Sequence, residues 1–205
     1  SVSDAGDING DGIDDLIIGA SGKTYVVFGN TGSFDASVDL SQLDGSNGFV
    51  INGGIGSRPS VSDAGDINGD GIDDLIIGAP YADPNGIRDV GKTYIVFGQR
   101  EGFDASFNLS QLNGSNGFVI NGIDERDFSG RSVSSAGDIN GDGIDDLIIG
   151  APEADPNGNY LAGETYIVLG QREGFDASFN LSQLNGSNGF VINGIDVGDF
   201  SGWSV

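Results

Sequence analysis

The chain has no histidine, no cysteine and no methionine, and a single tryptophan among its 205 residues. Without histidine, the commonest general base and the usual ligand of catalytic zinc are both missing. Metal sites built from oxygen alone remain, and these favour calcium, magnesium or manganese, calcium best of all. Without cysteine there are no disulfides and no thiolate sites, while the redox compartment stays open. Basic side chains are scarce: eight against thirty-one acids, a net charge of −23. Such a surface repels phosphate backbones and anionic lipid, so neither nucleic acid nor an anionic membrane is expected as a partner. No apolar run approaches the roughly 18 residues of a membrane-spanning helix, so no membrane insertion is expected. With no signal peptide or initiator methionine, the chain reads as a mature or excised piece.

What the chain does contain is repetition. Asp-Ile-Asn-Gly-Asp-Gly-Ile-Asp-Asp-Leu occurs three times, as Asp7 to Leu16, Asp66 to Leu75 and Asp138 to Leu147, so the unit recurs after 59 and then 72 residues. Thr93 to Asp124 and Thr165 to Asp196 differ only at Phe97 against Leu169, the mark of a duplicated structural unit. The first unit is shortest. Ser21 stands alone between Ala20 and Gly22 where the second unit has Pro80 to Val90, so the missing residues map to one loop.

The repeated decapeptide reads as a cation loop. Oxygen side chains fall at its first, third, fifth and ninth positions (Asp7, Asn9, Asp11, Asp15), the alternating pattern with which a loop wraps a hard cation. Glycine holds the sixth position (Gly12, Gly71, Gly143), where a tight turn calls for a residue that tolerates positive φ. An EF-hand would need glutamate at position twelve, and that position holds Ile18, Ile77 and Ile149. Dockerin-like modules need helices after their loops, whereas Leu16-Ile17-Ile18 leads to glycine and another strand. A metal-free Asx-rich turn is the plain alternative, set against the repulsion of three converging carboxylates.

Each unit carries four strand-like runs bounded by Gly, Asn, Asp and Pro; in the third they are Arg131 to Gly137, Asp146 to Ala151, Glu164 to Gly170 and Gly189 to Gly194. The continuous Leu147-Ile148-Ile149 suits a strand covered on both faces. Helix signals are limited to single turns at Leu109 to Leu112 and Leu181 to Leu184. Repeated four-stranded units describe blades of an all-β propeller better than a sandwich, with a solenoid as runner-up. Phe103, Phe118 and Phe128 are expected between blades. One array over 1–205 is expected, with approximate blades 1–59, 60–130 and 131–205.

The chain resembles the FG-GAP repeats, the blades of the integrin α-subunit propeller and of related bacterial extracellular proteins. Phe28-Gly29 and Phe97-Gly98 supply the first pair of letters; Gly78-Ala79-Pro80 and Gly150-Ala151-Pro152 supply the rest. Gly19-Ala20-Ser21 and Leu169-Gly170 depart from the pattern. The resemblance implies a calcium loop between the first two strands of every blade, hence three calcium sites. The implied ligands are Asp7, Asn9, Asp11, the Ile13 carbonyl and Asp15. In the second unit they are Asp66, Asn68, Asp70, Ile72 and Asp74, and in the third Asp138, Asn140, Asp142, Ile144 and Asp146. Asp14, Asp73 and Asp145, at the eighth position, are expected to support the ligands from behind or to face solvent.

Three blades fall short of the usual four to eight. Phe200 to Val205 matches Phe128 to Val133, so the chain is expected to be part of a longer propeller or half of a six-bladed homodimer with head-to-tail contacts. The expected function is a calcium-stabilised extracellular or cell-surface module that binds a protein or glycan in adhesion. A passive structural segment of a large surface protein is the alternative, and part of a secreted hydrolase or lyase comes third. No enzyme activity is expected, because no nucleophile and base arrangement is available and Lys23 and Lys92 are the only lysines. The long loops Tyr81 to Val90 and Glu153 to Ala162 are the candidate partner surfaces. Sequons at Asn108, Asn113, Asn180 and Asn185 are expected to mark turns.

Overall fold

Each loop of the repeat closes a β-hairpin, and the computed structural model, which describes residues 1–205, shows three such hairpins widened into three sheets. Fourteen strands, numbered in chain order, make up the fold. Blade 1 contains β1 (Val2–Asp4), β2 (Leu16–Ala20), β3 (Lys23–Val27) and β4 (Gly48–Asn52). Blade 2 contains β5 (Ser60–Gly65), β6 (Asp74–Ala79), β7 (Lys92–Val96) and β9 (Gly117–Asn121). Blade 3 contains β10 (Ser132–Gly137), β11 (Asp146–Ala151), β12 (Glu164–Val168) and β14 (Gly189–Asn193). Within each blade, neighbouring strands pair antiparallel. The all-β architecture is that of a partial propeller.

All three blades have the four antiparallel strands expected from sequence, and blades 1 and 2 each gain a fifth member. Two three-residue strands, β8 (Ser106–Asn108) and β13 (Ser178–Asn180), leave their own blades and pair parallel with the outer strand of the preceding one, β4 and β9. Three residues are too few to register as a strand from pattern alone. The pairing is decided by the neighbouring blade, whose outer edge offers free N–H and C=O groups.

The hydrophobic core lies between blades rather than within them. A strand sends alternate side chains to opposite faces. In β6 and β7, Leu75, Ile77, Tyr94 and Val96 enter the core shared with blade 1, whereas Ile76 and Ile95 enter the core shared with blade 3. Blade 2 is thus covered on both sides, and all six residues of β6 are buried. Phe49 stacks on Phe103 with ring centroids 4.2 Å apart, and Phe118 on Phe175 at the same distance. Phe128 packs instead edge-on against Tyr81, 5.4 Å away.

The expected single turns are 3₁₀ turns at Leu109–Gln111 and Leu181–Gln183. The sequon asparagines behave as turn residues: Asn108 accepts from the Ser110 N–H at 3.0 Å and Asn113 from the Ser115 N–H at 2.9 Å. The long loop after β6 is tied to the segment that enters blade 3. The N–H groups of Arg126, Phe128 and Ser129 donate to the carbonyls of Arg88, Asp89 and Val90. No helix of the chain is long and apolar enough to cross a membrane.

Candidate metal centres

The three loops sit in equivalent places, between β1 and β2, β5 and β6, and β10 and β11. Gly12, Gly71 and Gly143 have φ of 88°, 83° and 82°, as the sixth position requires. Asp7 accepts at Oδ1 from the Asp11 N–H (2.9 Å) and at Oδ2 from the Gly12 N–H (2.8 Å). Asn9 Oδ1 also accepts from Asp11 N–H, and Asp11 Oδ1 from Ile13 N–H at 3.0 Å. Asp66, Asn68 and Asp70, and likewise Asp138, Asn140 and Asp142, repeat these bonds. The first, third and fifth side chains therefore line one turn, each folded back on the backbone.

The ninth position behaves differently. Asp15, Asp74 and Asp146 are all buried. Their Oδ1 atoms accept from the N–H groups of Gly29, Gly98 and Gly170, at 2.7, 2.9 and 2.9 Å. These are the glycines of the Phe-Gly or Leu-Gly pairs at the end of the third strand. One carboxylate thus fastens the loop to that strand, which gives the pair a physical reason. A Cβ at Gly98 would collide with the Asp73 carbonyl oxygen, so only glycine brings its N–H this close. Asp74 Oδ2 accepts from Ile67 N–H (3.1 Å) and Asp146 Oδ2 from Ile139 N–H (3.0 Å), but Asp15 Oδ2 is buried with no partner.

Burial governs the electrostatics of these carboxyls. Desolvation, reinforced by the neighbouring loop aspartates, pushes Asp74 up to about 8 and Asp15 up to about 6, and also raises Asp146. Asp138, exposed and held by several backbone N–H groups, is instead lowered. No three acidic side chains stand together as a ready-made cage. The donor set nevertheless fits a hard dication. It is all oxygen, it includes an orphaned buried carboxylate oxygen in loop 1, and the Ile13, Ile72 and Ile144 carbonyls lie between the fifth and ninth positions.

The eighth-position residues are divided by their place in the array. Asp73 Oδ2 accepts from the Asp7 N–H of the preceding loop at 2.8 Å, and Asp145 Oδ2 from the Asp66 N–H at 2.9 Å. Asp14 is exposed. Two of the three thus hold the loop backbone of the preceding blade, and the third faces solvent. The linkage itself escapes a sequence reading, because the partners lie 66 and 79 positions apart.

Repeated hairpins closed by oxygen-rich loops, with cores between successive sheets, define a segment of a β-propeller. The FG-GAP repeat model matches residues 59–96 and 129–168, and the FG-GAP-like repeat model matches residues 7–77. The chain belongs to the FG-GAP repeat family. It is similar to integrin alpha-4 of Xenopus laevis, 35% identical over 156 residues, covering 72% of this chain and 14% of that protein. It is 29% identical over 182 residues to integrin alpha pat-2 of Caenorhabditis elegans, covering 82% and 14%. It is 32% identical over 165 residues to the phosphatidylinositol-glycan-specific phospholipase D of Bos taurus, covering 74% and 18%. The chain spans less than a fifth of the length of these relatives. Integrins and a phospholipase share the same repeats, so the match does not by itself mark this chain as catalytic or not.

Proposed function

We propose that the chain is a calcium-stabilised module of an extracellular or cell-surface protein that binds a protein or glycan partner, with the ions serving the scaffold. The observation that carries the calcium reading is the buried, unpartnered Oδ2 of Asp15 beside a turn lined by Asp7, Asn9 and Asp11. Burying a carboxylate oxygen without a donor is costly, and a dication in the loop removes that cost.

Asp7, Asn9, Asp11, Asp15 and the Ile13 carbonyl would hold the first ion, with the matching residues of the other loops holding two more. Three carboxylates per ion make each site slightly anionic, in line with the modest affinities of roughly 10⁻⁴ to 10⁻³ M in extracellular calcium modules. The ninth-position aspartate would then couple ion binding to the third strand through Gly29, Gly98 or Gly170. Binding thus stiffens the blade, and partner recognition is left to other surfaces. The adhesive role rests on the family and on the likeness to integrins; catalysis finds no support in the residues present.

Calorimetric titration of the metal-free chain with calcium, paired with thermal melting, tests this. Uptake approaching three ions with a raised melting temperature is expected. No uptake and an unchanged melt would remove the calcium reading. A protein and glycan array probed with and without calcium tests the binding role; no calcium-dependent ligand would favour a passive spacer.

A further inference from the structure

A line of hydrogen bonds runs from loop to loop through the ninth-position carboxylates. Asp146 Oδ1 accepts from the Gly170 N–H at 2.9 Å. The next N–H of the chain, that of Gln171, donates instead to the Ile67 carbonyl of the preceding loop at 3.0 Å. The Ile67 N–H in turn donates to Asp74 Oδ2 at 3.1 Å, and Asp74 Oδ1 accepts from the Gly98 N–H at 2.9 Å. Gln99 then donates its N–H to the Ile8 carbonyl of the first loop at 3.0 Å. Ile8 and Ile67 are fully buried, so their peptide groups depend on these partners.

Each Gly-Gln pair thus serves two loops: its glycine N–H holds a carboxylate of its own blade, and its glutamine N–H holds a carbonyl of the blade before. The fit is close. A Cβ on Gly98 would lie 2.9 Å from the Ile8 oxygen, and one on Gly170 2.9 Å from the Ile67 oxygen. The eighth position adds a second tie at each junction, through Asp73 and Asp145. The arginines that follow the pairs form a third. Arg100 and Arg172 pack against Gly10 and Gly69 of the preceding loop, and their Nη2 groups donate to the Gly71 and Gly143 carbonyls of their own loops at 3.3 and 3.4 Å.

We propose, on the basis of the calcium reading above, that adjacent loops take up calcium cooperatively, a filled loop raising the affinity of the loop beside it, and that the Gly-Gln pairs at 98–99 and 170–171 carry the coupling. An ion that fixes Asp74 also fixes the Gly98 N–H and the Ile67 peptide, and with them the groups bonded to Gln99 and Gln171. Those shared groups are ordered once, by the first ion, and the second ion meets backbone already in place. Linkage makes the effect mutual, so two neighbouring loops strengthen each other by the same factor, typically about 5- to 150-fold. Repulsion between neighbouring ions opposes this. The loops open to solvent, however, where fields are screened within about 8 Å at physiological salt, and each loop sets three carboxylates against one dication. The bonds to Asp74 and Asp146 are buried and escape that screening, so the positive sign prevails.

Calcium titration of the isotope-labelled chain, followed by NMR at physiological salt, reads the loops one at a time through the amides of Gly12, Gly71 and Gly143. Asp70→Ala disables the middle loop and is expected to raise the calcium needed at Gly12 and Gly143 about fivefold or more. Asp142→Ala is expected to do the same at Gly71 and less at Gly12, two junctions away. Gln171→Pro removes the N–H that reaches Ile67 and alters no loop residue; in that background Asp142→Ala is expected to shift Gly71 less. Should the proline variant misfold, hydrogen exchange takes its place: calcium added to the Asp142→Ala chain is expected to slow exchange at the Gln99 and Gln171 amides. Midpoints at Gly12 and Gly143 that Asp70→Ala leaves unchanged or lowers overturn the coupling and leave the calcium reading standing. A folded Gln171→Pro chain that couples as before, or glutamine amides indifferent to calcium, overturns the assigned route. No calcium-dependent shift at any of the three glycines removes the calcium reading and this proposal with it.

Discussion

The N–H of Asp7 donates to Oδ2 of Asp73 at 2.8 Å, joining the first residue of one aspartate-rich loop to the eighth residue of the next. Asp66 and Asp145 repeat the bond at 2.9 Å. Successive loops are therefore wired in series: Asp73 of blade 2 and Asp145 of blade 3 each fix the backbone at the first residue of the preceding blade's loop. The loops belong to the array as much as to their own hairpins.

Removing that carboxylate isolates its role. Asp73→Ala leaves the Asp7 N–H without its acceptor and is expected to cost about 1–3 kcal/mol, a typical penalty for an orphaned, partly buried donor. Chemical denaturation of Asp73→Ala checks the stability, and calcium titration is expected to show the first loop weakened although none of its own side chains has changed.

Calcium removal and ligand substitution should separate the loops. Asp70→Ala is expected to abolish one ion of the three while the other two loops still bind, because each loop carries its own oxygen set. Calorimetric stoichiometry reads this directly. Chelation of the unaltered chain is expected to lower its melting temperature.

The stability of the metal-free fold and the gain from calcium should change with pH in opposite directions. Asp74 is pushed up to about 8 and Asp15 and Asp63 up to about 6, from an ordinary 3.8, chiefly by burial. A carboxyl whose folded pKa lies above its unfolded value favours the fold when protonated. That stability is complete below about 4 and is lost as pH rises through 6 to 8. The metal-free chain is therefore expected to melt at a lower temperature at pH 8 than at pH 5. Calcium binds the ionised forms, so the gain in melting temperature on adding calcium should be larger at pH 8.

Two glycines of the site should fail for different reasons. Gly98→Ala drives a Cβ into the Asp73 carbonyl and disturbs the N–H bond to Asp74, a packed backbone clash expected to cost about 1–3 kcal/mol or more. Gly71→Ala meets open space but sits at φ 83°, so only the conformational penalty of roughly 1–2 kcal/mol applies. Thermal melts of the two variants should rank Gly98→Ala as the less stable.

The phospholipase and integrin relatives bear on how far function can be read from this architecture. Both carry the repeats within much longer chains. The blade is a scaffold on which different activities are mounted. The long loop after β6 illustrates the point: its Arg88, Asp89 and Val90 carbonyls hold the segment that enters blade 3, which gives that backbone a structural duty at a place where sequence alone suggested partner binding.

The sequence by itself determined the local units. Threefold repetition of Asp7 to Leu16, glycine at every sixth position and apolar runs between turn residues specify hairpins closed by oxygen-lined loops, because they act over a few residues through φ preferences and side-chain alternation. Tertiary structure alone decided what passes between units: the parallel strands at Ser106–Asn108 and Ser178–Asn180, the bond from Asp7 to Asp73, and the placing of Leu75 and Ile76 in different cores. Near-identical units carry near-identical letters whether their faces are covered or bare. Phe118 is buried and Phe190 exposed within the same Gly-Phe-Val-Ile-Asn sequence, and the neighbouring blade, present for one and lacking for the other, is the physical reason.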